Sequence, residues 1–259
     1  MKGILIKILL LLTGLFIVYS CIDDKVTNPG TPTDNGNYFP NGEGSTYKYE
    51  ITRTDSNGSI MAGNRFITYD GDTLIRRTNY KIQLDSLEII SQKIPFTTFF
   101  RTTETGVFYF VDTSGISVLL PDSVRSSISF QTEMRLFLFP FVSGNSWTVY
   151  RVSYNVNDLL SYNVVDFTAK YFNDEELQLN LNGASETLNT KKVEYILTIQ
   201  DDPQNPPQNF TAYIWVADNI GIVKSEGSAA ILGIFSGGGI ALSDTSEIYT
   251  QNLVEYNIK

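Results

Sequence analysis

Tyr38-Phe39-Pro40-Asn41-Gly42-Glu43-Gly44-Ser45-Thr46-Tyr47-Lys48-Tyr49-Glu50-Ile51-Thr52 decides the fold class, because its second half alternates apolar and polar residues without a break. Successive side chains of a strand point to opposite faces, so Tyr47, Tyr49 and Ile51 share one face while Lys48, Glu50 and Thr52 share the other. Such a strand belongs to a sheet with a core on one side and water on the other, the usual state of antiparallel sheets. The segment has an echo. Phe139, Pro140, Gly144 and Trp147 stand at the same mutual spacing as Phe39, Pro40, Gly44 and Tyr47, and Tyr150-Arg151-Val152-Ser153-Tyr154-Asn155-Val156 alternates in turn. In the shared pattern FPxxxGxx[YW], proline ends the preceding element, glycine takes a turn conformation that a Cβ would penalise, and the aromatic opens the next strand. The repetition predicts a β domain over 38–259 made of two related halves, about 38–137 and 138–259.

The rest of this region reads as further strands. Val107-Phe108-Tyr109-Phe110-Val111 and Ala212-Tyr213-Ile214-Trp215-Val216-Ala217 are apolar throughout and predict central strands buried on both faces. Val193 to Ile199 alternates and predicts a half-buried strand. Turn signals fall at hairpin spacing: Asn57-Gly58, Asp70-Gly71, Ser114-Gly115, Asn182-Gly183 and the proline-rich stretch Asp201 to Asn209. Short helical turns are expected near Pro121 to Ser127 and Asp174 to Leu177. Aromatics make up 13% of the chain, and no segment has the length and period of a helix that could cross over a parallel sheet. The fold class is therefore all-β, a curved antiparallel sheet or half-barrel.

The N-terminus carries a different signal. Lys2 and Lys7 precede an apolar run from Ile8 to Val18, too short at about a dozen residues for a span that needs ~20. Residues 1–20 thus predict a secretory signal peptide. Val18-Tyr19-Ser20-Cys21 resembles the lipobox of bacterial lipoproteins, with a branched residue three before the cysteine and a small one just before it. The resemblance implies that Cys21, the single cysteine of the chain, carries acyl chains. At ~0.8 kcal/mol per buried CH₂, more than one chain anchors the protein firmly to a membrane. Residues 22–37 are poor in apolar side chains and predict a disordered tether with a root-mean-square reach of roughly 20 Å. Asp23-Asp24 within it resembles the surface-export signal of lipoproteins in some Gram-negative groups; an ordinary acidic linker reads the same way.

Composition narrows the chemistry. Removing Lys2 and Lys7 with the leader takes the formal charge from −9 to −11, which disfavours nucleic acid and anionic lipid headgroups as partners. The chain has no histidine and no second cysteine, which excludes disulfides within it, His-dependent nucleophilic systems and the usual zinc or copper sites. Carboxylates remain. Asp201-Asp202 and Asp174-Glu175-Glu176 could serve glycoside hydrolysis only if two carboxyls faced each other with one pKa raised by burial. Both runs read as solvated turns instead. Leu232-Gly233-Ile234-Phe235-Ser236-Gly237-Gly238-Gly239-Ile240 lacks the GK[ST] ending of a phosphate loop, so no cofactor is expected, and a hairpin tip between two apolar strands is the simpler reading. Ala229 to Leu242 is uncharged throughout and, if exposed, would be an adhesive patch or a lid over an apolar pocket.

The start YFPxxxGxxYxY, its echo FPFVSGNSW, the segment Trp215 to Lys224 and the ending Leu253-Val254-Glu255-Tyr256 resemble uncharacterised bacterial lipoproteins with an all-β body. In that group a W-x-A-x-x-[IV]-G-[IL]-V-K strand pair precedes a terminal strand, and the pattern is similar in shape to half-barrel lipoprotein carriers. The resemblance implies a lipid-anchored cell-envelope protein, most simply at the outer membrane. Three functions are compatible with it: a non-enzymatic module that binds a ligand or partner, a half-barrel carrier of a lipid or other amphiphile, and a carboxylate-dependent surface glycan hydrolase. An outer-membrane barrel is disfavoured by the anchor cysteine, the uneven strand spacing and the terminal Lys259. Palmitate labelling of cells should mark the wild-type chain and spare Cys21→Ser; equal labelling of both would remove the anchor.

Overall fold

The computed structural model describes residues 36–89, 92–112, 127–156, 160–200, 202, 204–235 and 246–259. Residues Asp34–Lys259 form one compact unit. The leader, Cys21, Asp23, Asp24, most of the tether, the Ser114-Gly115 signal and residues 236–242 lie outside the described residues.

The strands are β1 (Thr46–Thr54), β2 (Ile60–Ile75), β3 (Thr78–Ile89), β4 (Gln92–Thr103), β5 (Gly106–Phe110), β6 (Ile128–Phe130), β7 (Glu133–Leu138), β8 (Ser146–Val156), β9 (Leu160–Leu181), β10 (Ala184–Ile199), β11 (Gln208–Ala217), β12 (Gly221–Ser228) and β13 (Ile248–Asn257). A single short helix among the described residues, α1 (Ala229–Phe235), lies between β12 and β13. The strands form one antiparallel sheet in the order β6-β8-β9-β10-β11-β12-β13-β1-β2-β3-β4-β5-β7. Two runs of sequence-consecutive strands, β8 to β13 and β1 to β5 with β7, meet where the last strand pairs with the first, Tyr47 opposite Tyr256 and Ile51 opposite Gln251. The sheet is curved and its ladder does not close.

Alternation builds the inner face as the sequence predicts. Tyr47, Tyr49 and Ile51 are buried; across the ladders Tyr49 stands opposite Leu253 and Arg65, and Ile51 opposite Gln251 and Gly63. Both FPxxxGxx[YW] motifs place their glycine at positive φ, 81° at Gly44 and 88° at Gly144, a backbone conformation that costs a Cβ-bearing residue about 1 kcal/mol or more. In each motif the following amide closes a turn onto the carbonyl three residues back, Ser45 N to Gly42 O and Asn145 N to Val142 O, both at 3.0 Å. Phe139-Pro140 is a cis peptide.

The two ends of the ladder come together through side chains. Trp147 on β8 donates its indole N–H to the Arg135 carbonyl of β7 at 3.2 Å, and Tyr195 on β10 donates its hydroxyl to the Leu136 carbonyl at 2.7 Å. A bare strand edge in the interior would leave these acceptors unpaired, at a cost of order 1–3 kcal/mol each. The interior between the walls is filled by aromatic rings and by α1, whose Phe235 packs on Phe167 and Tyr195 at ring-centre distances of 5.8 and 5.2 Å.

Several expectations are corrected. Asp174 to Leu177 is not a helical turn: β9 runs through it, with Asp174 opposite Lys191 and Leu177 opposite Leu188 on β10. Asp70-Gly71 is a bulge within β2, and the chain reverses instead at Arg76-Arg77, both at positive φ. The run from Ala229 is not a strand, since 229–235 coils into a buried helix. The Val107–Val111 segment becomes β5, second from one end of the sheet rather than central; its Phe108 is buried beneath the guanidiniums of Arg101 and Arg135. Tyr195→Phe should orphan the Leu136 carbonyl and lower stability by about 1–3 kcal/mol, seen as a lower urea midpoint at unchanged m value. An unchanged midpoint would contradict the seam bond.

Candidate ligand groove at the seam of the sheet

Where β7 and β8 approach without a ladder, an open groove of about 710 Å³ lies between them, lined by Phe108, Phe130, Arg135, Trp147 and Thr148 among others. Its β5–β7 wall is an aromatic ring held between two cations. Arg101 stands opposite Phe108 on β4 and Arg135 opposite it on β7, and their guanidiniums lie 4.3 and 4.9 Å from the ring centre. Each such contact contributes on the order of 0.5–2 kcal/mol, depending on how dry it is.

The two arginines differ in one respect. Arg101 is committed, since its Nε and Nη2 both donate to the Glu133 carboxylate at 2.6 Å, a bidentate pair. Tyr80 adds a third bond to the same carboxylate at 2.7 Å. These bonds, led by those from Arg101, hold the Glu133 carboxyl below its ordinary pKa. Burial and the bond to Glu133 push the Tyr80 hydroxyl up to about 12. Arg135 stacks on Phe108 and makes no ion pair among the described residues. Its planar, always-charged fork is thus available for a carboxylate or phosphate oxygen.

Two other charged clusters among the described residues are internally satisfied. In the interior, Arg65 forms a buried bidentate pair with Asp85, at 2.9 and 2.7 Å, with side-chain exposures of 7% and 0%. Gln83 donates to Asp85, Tyr109 donates to Gln83, and Arg65 also reaches Gln251. On the outward face of the second half, Trp215 lies between Lys192 and Lys224, at 4.6 and 4.7 Å, with exposed Phe172 nearby. There Lys192 pairs with Glu175, Lys224 with Glu226 and Lys170 with Glu194.

The residues singled out in the sequence divide between frame and surface. Phe39, Tyr47 and Trp147 are buried, and Tyr47 donates to the Pro40 carbonyl at 3.0 Å, so both motifs build the frame. Trp147 alone of them borders the groove. The acidic run of β9 is spent on cross-strand pairs, Asp174 with Lys191 and Glu175 with Lys192, and Asp202 is exposed. Arg101, Glu133 and Arg135 were not legible as a unit, because Arg101 of β4 meets Glu133 and Arg135 of β7 only across the intervening β5. Arg65 and Asp85 had a signal: each occupies an inward position of an alternating strand, where a charge must find a partner.

No protein-family model matches the chain, and no curated protein matches it. Solved structures do. A "putative lipoprotein" from Parabacteroides distasonis is 13% identical with a TM-score of 0.44, over 85% of this chain and 98% of that one. A "putative exported protein with YmcC-like fold" from Bacteroides fragilis is also 13% identical at 0.44, over 86% and 99%. The "hypothetical lipoprotein YmcC" of Escherichia coli is 10% identical with a TM-score of 0.32, over 80% and 83%.

The depressed Glu133 carboxyl gives a sign-definite pH test. A carboxyl with a lowered folded pKa stabilises above its ordinary value of 4.5 and loses that contribution as pH falls through the folded value. The gap in urea midpoint between wild type and Glu133→Gln should therefore be present at neutral pH and narrow below about pH 4. A gap that stays constant into acid would contradict the pair.

Proposed function

We propose that the chain is an exported lipoprotein of the cell envelope, held by acyl chains on Cys21, whose β body is a non-catalytic module that binds an anionic group of a ligand or partner in the seam groove. The observation that carries this reading is Arg135, a guanidinium stacked on Phe108 at 4.9 Å with no carboxylate partner among the described residues, in a groove whose one described acid, Glu133, is already bidentate to Arg101. The described residues of that arrangement include no free base, which supports a role in holding a ligand. The lipobox-like Val18 to Cys21 supports the anchor, and Asp23-Asp24 supports display on the outer surface.

Long-range charge restricts the ligand. A protein of net charge −9, or −11 without its leader, repels polyanions, and one arginine does not offset that field. The groove suits an isolated carboxylate or phosphate on an otherwise neutral molecule. Hydroxyl and amide side chains at Ser146, Thr148, Thr132 and Gln131 along the same groove offer further hydrogen bonds to such a molecule.

The carrier alternative meets a full interior. The cavity left inside the curved sheet measures about 30 Å³, far below the ~300–1,000 Å³ usual for ligand pockets.

Equilibrium binding against paired small glycans and peptides, each neutral or singly anionic at the same size, tests the groove. The anionic member of a pair should bind, and Arg135→Ala should weaken it by roughly 10- to 100-fold with an unchanged circular dichroism spectrum. Binding that ignores the ligand's charge and the Arg135 substitution would contradict the assignment.

A further inference from the structure

The ladder leaves a strand edge bare beside the groove. On its seam side β8 is paired only at Val152, Ser153 and Tyr154, where β6 joins it, so Ser146 to Arg151 has no strand next to it there among the described residues. Backbone groups of an antiparallel strand point to its two sides in alternation. Asn145 O accepts from Tyr171 N, toward β9, so the amide and carbonyl of Ser146 and of Thr148 point the other way, toward β7. Among the described residues no backbone group of β7 pairs with them.

Elsewhere along the seam, side chains stand in for the missing ladder. Gln131 Oε1 accepts Arg151 N at 2.9 Å, and Trp147 donates to Arg135 O at 3.2 Å. Ser146 and Thr148 receive no such substitute among the described residues. Native proteins blunt bare edges with lysine, proline or bulges, because an open edge is a template for another strand. Ser146-Trp147-Thr148-Val149 has neither a charge nor a proline, and only the register shift at Val149 interrupts it. The free stretch is therefore about four residues, or ~13 Å. A strand of that length, at ~4.8 Å between strands and ~10 Å between sheets, takes roughly 630 Å³. The groove holds about 710 Å³. Donors and acceptors repeating at every second residue match a peptide main chain, and a sugar chain has no such repeat.

We propose that the groove takes an extended peptide as an added strand on the free edge of β8, with one acidic side chain of that peptide at Arg135. The acidic side chain rests on the anionic reading of the groove; the added strand rests on the bare edge alone. Main-chain groups of the peptide pair with those of Ser146 and Thr148, and its carboxylate meets the guanidinium that lies over Phe108. Bonds to the main chain give affinity whatever the peptide's sequence, and the single acid selects among peptides.

The test measures binding of capped pentapeptides to the full lipoprotein in lipid nanodiscs. The parent is acetyl-Thr-Val-Asp-Val-Thr-amide; a second peptide has Asn in place of Asp, and two more are N-methylated, one at both valines and one at the other three residues. Methylation acts on the peptide and leaves the fold of the protein untouched. The parent should bind, and the form methylated on the edge that faces β8 should bind about 10-fold more weakly or worse, since two hydrogen bonds are lost. The Asn peptide should also lose about 10-fold. Hydrogen exchange resolved by residue should show the Ser146 and Thr148 amides exchanging rapidly in the free protein and about 10-fold more slowly with saturating parent peptide. Absence of parent binding overturns the added strand, as do Ser146 and Thr148 amides that are already protected without peptide. Affinity that follows the charge but ignores both methylations also overturns it and keeps the anionic reading. Affinity that follows methylation but ignores the exchange of Asp for Asn overturns the acid at Arg135, and the anionic reading with it, while the added strand stands.

Discussion

The shape of the protein follows from a mismatch between chain length and strand order. Only seven residues, 139–145, connect β7 to β8, and fully extended they reach about 28 Å. In the order of the sheet those two strands stand eleven steps apart, which on a flat sheet at ~4.8 Å per step would be about 53 Å. The connection cannot span a flat sheet, so the sheet must bend until its two ends meet. That bend gives the protein an inside, a seam and a site.

Once the ends meet, their backbone groups must be satisfied, and the chain does this with side chains. Trp147 and Tyr195 donate to consecutive carbonyls of β7, and Gln131 accepts the amide of Arg151 on β8. Such bonds hold two edges together while leaving space between them, as a continuous ladder would not. The groove is therefore a consequence of how the sheet ends, and side chains of the strands that meet there line it. The interior shows the same economy of charge. Arg65 and Asp85 neutralise each other where isolated charges would be prohibitive, and Arg65 has one further N–H for the helix that fills the space.

Local pattern made much of the fold legible. Alternation from Tyr47 and from Tyr150 marks β1 and β8, and Asn182-Gly183 closes a hairpin with both residues at positive φ. Pattern failed where two structures share one composition. Asp-Gly marks a bulge in β2 as readily as a turn, and the true reversal at Arg76-Arg77 has no residue that announces it. The acidic run at 174–176 resembles a solvated loop until β10 supplies Lys191 and Lys192 across the ladder. An apolar stretch such as 229–235 lacks the period that separates a buried helix from a buried strand. The groove was beyond reach for a different reason. Phe108, Arg101 and Arg135 become neighbours only through the register of three strands, and register is set by the whole sheet.

The functional account turns on two arginines that flank one ring and differ in commitment. Side-chain nitrogen NMR of the arginine-labelled protein reads that difference directly, because rotation of a guanidinium slows when a carboxylate grips it from two points. Slow rotation for Arg101, together with fast rotation and rapid proton exchange for Arg135 in the absence of ligand, is the predicted result. An Arg135 as restrained as Arg101 would mean that the chain already satisfies it, and the groove would have no cation to offer.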